Sequence, residues 1–178
     1  MRTIILVPVM YSEADLEELL GSVPADFADE SAQFWTYVEE KLALTSGMIS
    51  MVCLFWNEET VDTRARSIIE FLENKGARTF RLEDSSLLRE AQAWLDMSMR
   101  EGDLGSKELY EESSRELSRA INKMLDALAD TKVAAVFVDP ACRPVFPEEL
   151  RVIKMAPSDP EDYLRRHRIR LRLAGKVD

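Results

Sequence analysis

Thr3-Ile4-Ile5-Leu6-Val7-Pro8-Val9-Met10 runs directly into Tyr11-Ser12-Glu13-Ala14-Asp15-Leu16, and these fourteen residues decide the fold. The first eight form a nearly uninterrupted apolar run of strand length. Uniform rather than alternating hydrophobicity marks a strand covered on both faces. Ser12 and Asp15 then make an S-x-x-D capping signature, and Leu16, Leu19 and Leu20 follow at helical spacing. A buried strand that feeds a helix is half of a βαβ unit.

The same alternation continues down the chain. Phe34, Trp35, Val38 and Leu42 share one face of a helix expected over Glu30 to Thr45, closed by Ser46-Gly47. Met48 to Trp56 is a second uniformly apolar strand, and Val61, Ala65, Ile68, Ile69 and Leu72 mark a helix that Gly76 stops. Ala77 to Leu82 is a weaker third strand. Asp84-Ser85-Ser86 caps a helix through Leu95, and the stripe Leu117, Ile121, Met124, Leu125 and Leu128 makes Ser106 to Ala129 the longest helix expected. Val133 to Val138 is strand four, ended by Asp139-Pro140, and Arg151 to Met155 is a short strand five. Ser158 is the expected cap of a final helix with Pro160 in its first turn. Strands alternating with helices predict an α/β fold with a mostly parallel central sheet of about five strands and helices on both faces.

Composition bounds the function. The 178 residues are 46% hydrophobic with a formal net charge of -10, which fits one globular α/β domain over 1–178 and not a disordered chain. No apolar run approaches the roughly 20 residues of a membrane helix, and no signal-peptide pattern opens the chain, so a cytoplasmic protein is expected. Two cysteines, Cys53 and Cys142, are too few for a disulfide framework, and a single histidine, His167, leaves no imidazole pair for zinc or a Ser/His/Asp relay. Charge is segregated. Residues 151–178 carry eight basic and four acidic side chains, and the 150 before them carry 15 and 29.

Ligands of open α/β sheets bind beyond the carboxyl ends of the strands, so the residues after each strand are the candidate site. Tyr11, Ser12 and Glu13 follow strand one; Trp56, Asn57 and Glu58 follow strand two; Glu83 and Asp84 follow strand three; Asp139 follows strand four, with Arg143 close behind. If these ends converge, Glu13, Glu58, Glu83, Asp84 and Asp139 form an acidic rim suited to a divalent cation such as Mg²⁺ or Mn²⁺. Tyr11, Ser12, Trp56, Asn57 and Arg143 would then face a ligand. Helix capping alone accounts for the same acidic pattern, because each new helix needs acceptors for its first N–H groups, and that reading is preferred.

Neither G-x-G-x-x-G nor a Walker loop occurs, and Glu13 would repel a phosphate at the first helix start. Dinucleotide binding is therefore disfavoured. His167-Arg168-Ile169-Arg170-Leu171-Arg172-Leu173 alternates strictly, which predicts a C-terminal edge strand whose Arg168, Arg170 and Arg172 form an interface with an acidic body, the chain's own or that of a second subunit. Nucleic acid is a poor partner for a chain of this net charge.

Three stretches together resemble the TraB-like superfamily, which also includes haem-binding ChaN-like proteins. They are Leu6 to Asp15, Gly76-Ala77-Arg78 leading to Leu82-Glu83-Asp84 and Leu87-Leu88, and Val136-Phe137-Val138 with Pro144 to Leu150 and Val152. The resemblance implies a metal-dependent hydrolase site built on histidines with glutamates. Here Tyr11 occupies the first histidine position, and Asp139-Pro140-Ala141-Cys142-Arg143 replaces the late histidine element. The expectation is therefore a non-catalytic ligand-binding or assembly module, with a divalent-metal-dependent hydrolase as the alternative.

Overall fold

Thr3–Pro8 forms strand β1, one of the three interior strands of a five-stranded, all-parallel sheet in this computed structural model. The structure describes residues 2–55, 63–81, 133–138 and 144–173, together with helical residues 111, 112, 115, 118 and 119. The other strands are β2 (Met51–Phe55), β3 (Arg78–Arg81), β4 (Val133–Val138) and β5 (Arg151–Lys154), in the spatial order β3-β2-β4-β1-β5. The described helices are α1 (Glu13–Leu20), α2 (Phe27–Thr45), α3 (Thr63–Asn74) and α4 (Pro160–Leu173). Among the described residues, no helix is long and apolar enough to cross a membrane.

The apolar runs are uniform because the interior strands are buried on both sides. Ile5 and Val7 of β1, Val52 and Leu54 of β2, and Ala135 and Phe137 of β4 join the core under the helices. Their alternate neighbours Ile4, Met51, Cys53, Ala134, Val136 and Val138 are buried on the opposite face. Each large apolar side chain so buried contributes about 1.5–3 kcal/mol. The helical side of the core is anchored by Phe34 and Trp35 of α2, which pack edge-to-face with ring centroids 5.1 Å apart; such a pair adds about 0.5–1.5 kcal/mol beyond its area.

Local chemistry sets the ends of the elements. The Ser12 hydroxyl accepts from the Asp15 N–H at 3.1 Å, and the Asp15 carboxylate accepts from the Ser12 N–H at 2.8 Å, a complete capping box at the start of α1. Gly21 closes α1 in the left-handed region at φ 73°, where a side chain would be strained. Several boundaries differ from expectation, β1 ending at Pro8, β3 beginning at Arg78 and β5 ending at Lys154. Helix α2 begins at Phe27, three residues before Glu30, and Ser46–Met48 continues it as a 3-10 turn, so β2 starts only at Met51.

The C-terminal edge strand is a correction: residues 167–173 belong to α4, a single helix from Pro160 to Leu173. Alternation held for only seven residues, whereas Tyr163, Leu164, His167 and Leu171 share one helical face and turn into the core. Ile169 and Leu173, the other apolar members of the alternating run, point to solvent. The backbone carbonyl of Asp159, not Ser158, accepts the first helical bonds of α4, from Asp162 N–H at 2.9 Å and Tyr163 N–H at 3.3 Å. The helix expected around Leu87 to Leu95 lies outside the described residues. Of the expected Ser106 to Ala129 helix, the five described residues are helical, and the Ser118 hydroxyl accepts from the Val145 N–H at 2.6 Å.

Candidate functional site

The strand order places the carboxyl ends of β2, β4 and β1 side by side, with Phe55, Val138 and Pro8 opposite one another in register. The Val9 N–H extends the ladder by one more bond, to the Val138 carbonyl at 2.9 Å. From β1 the chain crosses β4 to reach β2, and from β4 it crosses β1 in the other direction to reach β5. Adjacent strands whose chains leave in opposite directions open a crevice at their carboxyl ends, the usual ligand position in this class of sheet.

Beside the β1 exit lies an open cleft of about 370 Å³. Its wall comes from three helix starts: Tyr11, Ser12 and Glu13 at α1, Phe27 and Ser31 in α2, and Thr63 and Arg64 at α3. Tyr11 is buried because its ring belongs to the core, and Glu13 is exposed on the rim. Arg64 ties two walls together, its Nη1 donating to the Ala32 carbonyl at 3.0 Å and to Thr36 Oγ1 at 3.4 Å. The Arg64 guanidinium favours an anionic group and Glu13 sets the opposite charge at the mouth, while the acidic first turns of α1 (Glu13, Asp15) and α2 (Asp29, Glu30) offset the positive potential of those helix ends.

Among the expected ligand-binding residues, Tyr11 lines this cleft. Ser12 also lines it, although its hydroxyl is committed to the cap, donating to Asp15 Oδ2 at 2.7 Å. Of the acidic rim, Glu13 is described and lies at the cleft. Trp56, Asn57, Glu58, Glu83, Asp84, Asp139 and Arg143 lie outside the described residues. Among the described residues no group of three His, Cys, Asp or Glu is arranged to hold a metal ion. The histidine-based metal site implied by the TraB-like resemblance does not fit this chain, since Tyr11 stands at the first histidine position and residues 139–143 contain no histidine.

A second polar cluster joins α2 to α4, and sequence reading missed it. Asp26 Oδ1 accepts from the Tyr163 hydroxyl at 3.1 Å and lies 3.2 Å from His167 Nε2, while Asp26 Oδ2 lies 3.6 Å from Arg170 Nη1. The Tyr163 and His167 rings pack at 4.5 Å. Burial first, then the hydrogen bond and charge of Asp26, push the Tyr163 hydroxyl well above its ordinary value. His167 is held below its ordinary value. Burial outweighs the upward pull of Asp26, Arg170 and Arg166 add to the lowering, and Glu30 opposes it. The available signal was the i, i+4, i+7 spacing of Tyr163, His167 and Arg170, which alternation from His167 onward obscured.

Of the three interface arginines, Arg170 is thus paired within the chain, Arg168 is exposed on α4, and the Arg172 side chain is not among those described. Cys53 is sealed in β2, and burial pushes its thiol up to about 12. Compared with family models, with curated proteins and with solved structures, the chain matches none. The TraB-like resemblance therefore stands on its quoted residues alone.

Proposed function

We propose that the protein is a non-catalytic module that binds a small anionic or zwitterionic molecule in the cleft at the β1 exit. The observation that carries this reading is the cleft itself: it opens beside the exit of β1, with the Arg64 guanidinium on one wall and the Glu13 carboxylate at the mouth, a cation and an anion that suit a zwitterion. The binding reading also draws support from the groups that could do chemistry. The described thiol is buried in its protonated form, and the histidine is engaged with Asp26 and Tyr163.

Thermal unfolding of the chelator-treated protein tests the proposal against a panel of small carboxylates, amino acids and phosphates, with Mg²⁺ and Mn²⁺ in parallel. A ligand at a hundred times its Kd adds about 2.7 kcal/mol, and each kcal/mol moves the midpoint of a chain this long by about 2–4 °C. A shift of that size with one organic anion or zwitterion, lost in Arg64→Ala, is expected. A shift with a cation alone, lost in Glu13→Gln, would overturn the proposal in favour of a metal-dependent site.

A further inference from the structure

We infer that the outward ridge of α4 docks into the groove along α2 of a second copy of this chain. The ridge is defined by what α4 leaves out of the core. Tyr163, Leu164, His167 and Leu171 face inward, so Arg165, Ile169 and Leu173, four residues apart, form the line farthest from it. Ile169 is 52% and Leu173 84% exposed. Exposed Arg165, Arg166 and Arg168 surround the apolar pair, Arg165 also pairing with Asp162 at 2.7 Å, and the set suits a groove with an acidic rim.

The same chain carries such a groove. Along the outward side of α2, Ala32, Gln33, Thr36, Tyr37 and Glu40 line a shallow depression of about 350 Å³. Asp29, Glu39 and Glu40 are exposed on this helix. Two cations lie close by, Lys41 at 5.5 Å from the Tyr37 ring and Arg64 bonded to Thr36, and the helix remains net acidic around the groove. The charge of the whole chain argues for a second copy as the occupant. A segment of net +4 is joined to 150 residues of net -14, so copies attract through these two regions while their like-charged parts repel. Reciprocal contacts would close a two-fold pair, and one-way contacts would extend as a chain.

The groove adjoins the cleft through Ala32 and Arg64, but the inference does not rest on what the cleft binds, and its test leaves Tyr11, Glu13 and Arg64 untouched. Sedimentation velocity of the full chain across a wide concentration range, at low and high salt, is expected to show reversible association that salt weakens. Ile169→Glu with Leu173→Glu should weaken it about tenfold or more. Arg165→Glu and Glu40→Arg should each weaken it, and a mixture of these two single variants should regain it. All of these positions are exposed, so far-UV circular dichroism and the unfolding midpoint should stay at wild-type values. A chain that is monomeric throughout, association indifferent to these substitutions, or a monomer that binds anionic phospholipid vesicles through Ile169 and Leu173 would each overturn the inference.

Discussion

Asp26 stands immediately before α2, where an aspartate ordinarily caps the helix, yet its side chain makes no capping bond. Its two oxygens face α4 instead, taking Tyr163 and His167 on one and Arg170 on the other. Tyr163 is 1% exposed, so removing the acceptor strands a buried hydroxyl. Asp26→Ala should therefore cost about 1–3 kcal/mol, measured as a lower urea midpoint. His167 adds a pH dependence. Its folded value lies below the 6.5 of the unfolded chain, so near that pH the unfolded state binds more protons. The stability that neutral His167 contributes is present above about 6.5 and is lost as pH falls through 6.5 towards the folded value. Denaturant midpoints measured between neutral and mildly acid pH should decline for the wild type and decline less for His167→Gln; parallel curves would refute this sign.

Two elements carry most of what local chemistry can test. Helix α1 is short, and its start depends on the reciprocal Ser12 and Asp15 bonds. Ser12→Ala should lower stability by about 1 kcal/mol, with Ser12→Asp recovering most of it in the same denaturation assay. Helix α4 can be distinguished from the strand its last seven residues mimic. Proline at Arg168 should cost about 3 kcal/mol or more in a helix interior, whereas an edge strand with that N–H facing water would tolerate it. The sheet edge beside β1 is β5, where the Arg151 and Met155 N–H groups donate to the Arg2 and Leu6 carbonyls at 3.0 and 2.8 Å. In a parallel ladder the intervening Val152 and Lys154 amides point away from β1, so they should exchange hydrogen faster than Ile153.

At the scale of the molecule, β4 bears the greatest packing load, since it lies between β2 and β1 and has buried residues on both faces. Phe137, fully buried, joins that strand to the helical core. Phe137→Ala should remove about 3–5 kcal/mol, a large part of the roughly 5–15 kcal/mol of an ordinary domain. Ile169→Glu, which tests association, should leave the unfolding midpoint unchanged, because no core contact is lost. That contrast separates the residues that hold the fold from those that offer it to a partner.

The stretch from Thr3 to Leu16 determined by itself that a strand buried on both faces enters a capped helix, because uniform apolarity and a capping box are local properties of the chain. Four further strands and the parallel class followed from the same periodicities. Tertiary structure decided the rest. The order β3-β2-β4-β1-β5, which brings the β1 and β4 ends together, depends on how helices cross the sheet, and pairing across more than a hundred residues leaves no local mark. The fate of His167 to Leu173 was decided in the same way: seven alternating residues favour a strand locally, and Asp26, 141 positions before His167, with the core beneath Tyr163, favours the helix. Glu13 could be recognised in sequence as a carboxylate after a strand. Its place at the mouth of a cleft beside Arg64 exists only because α1, α2 and α3 begin at the same edge of the sheet.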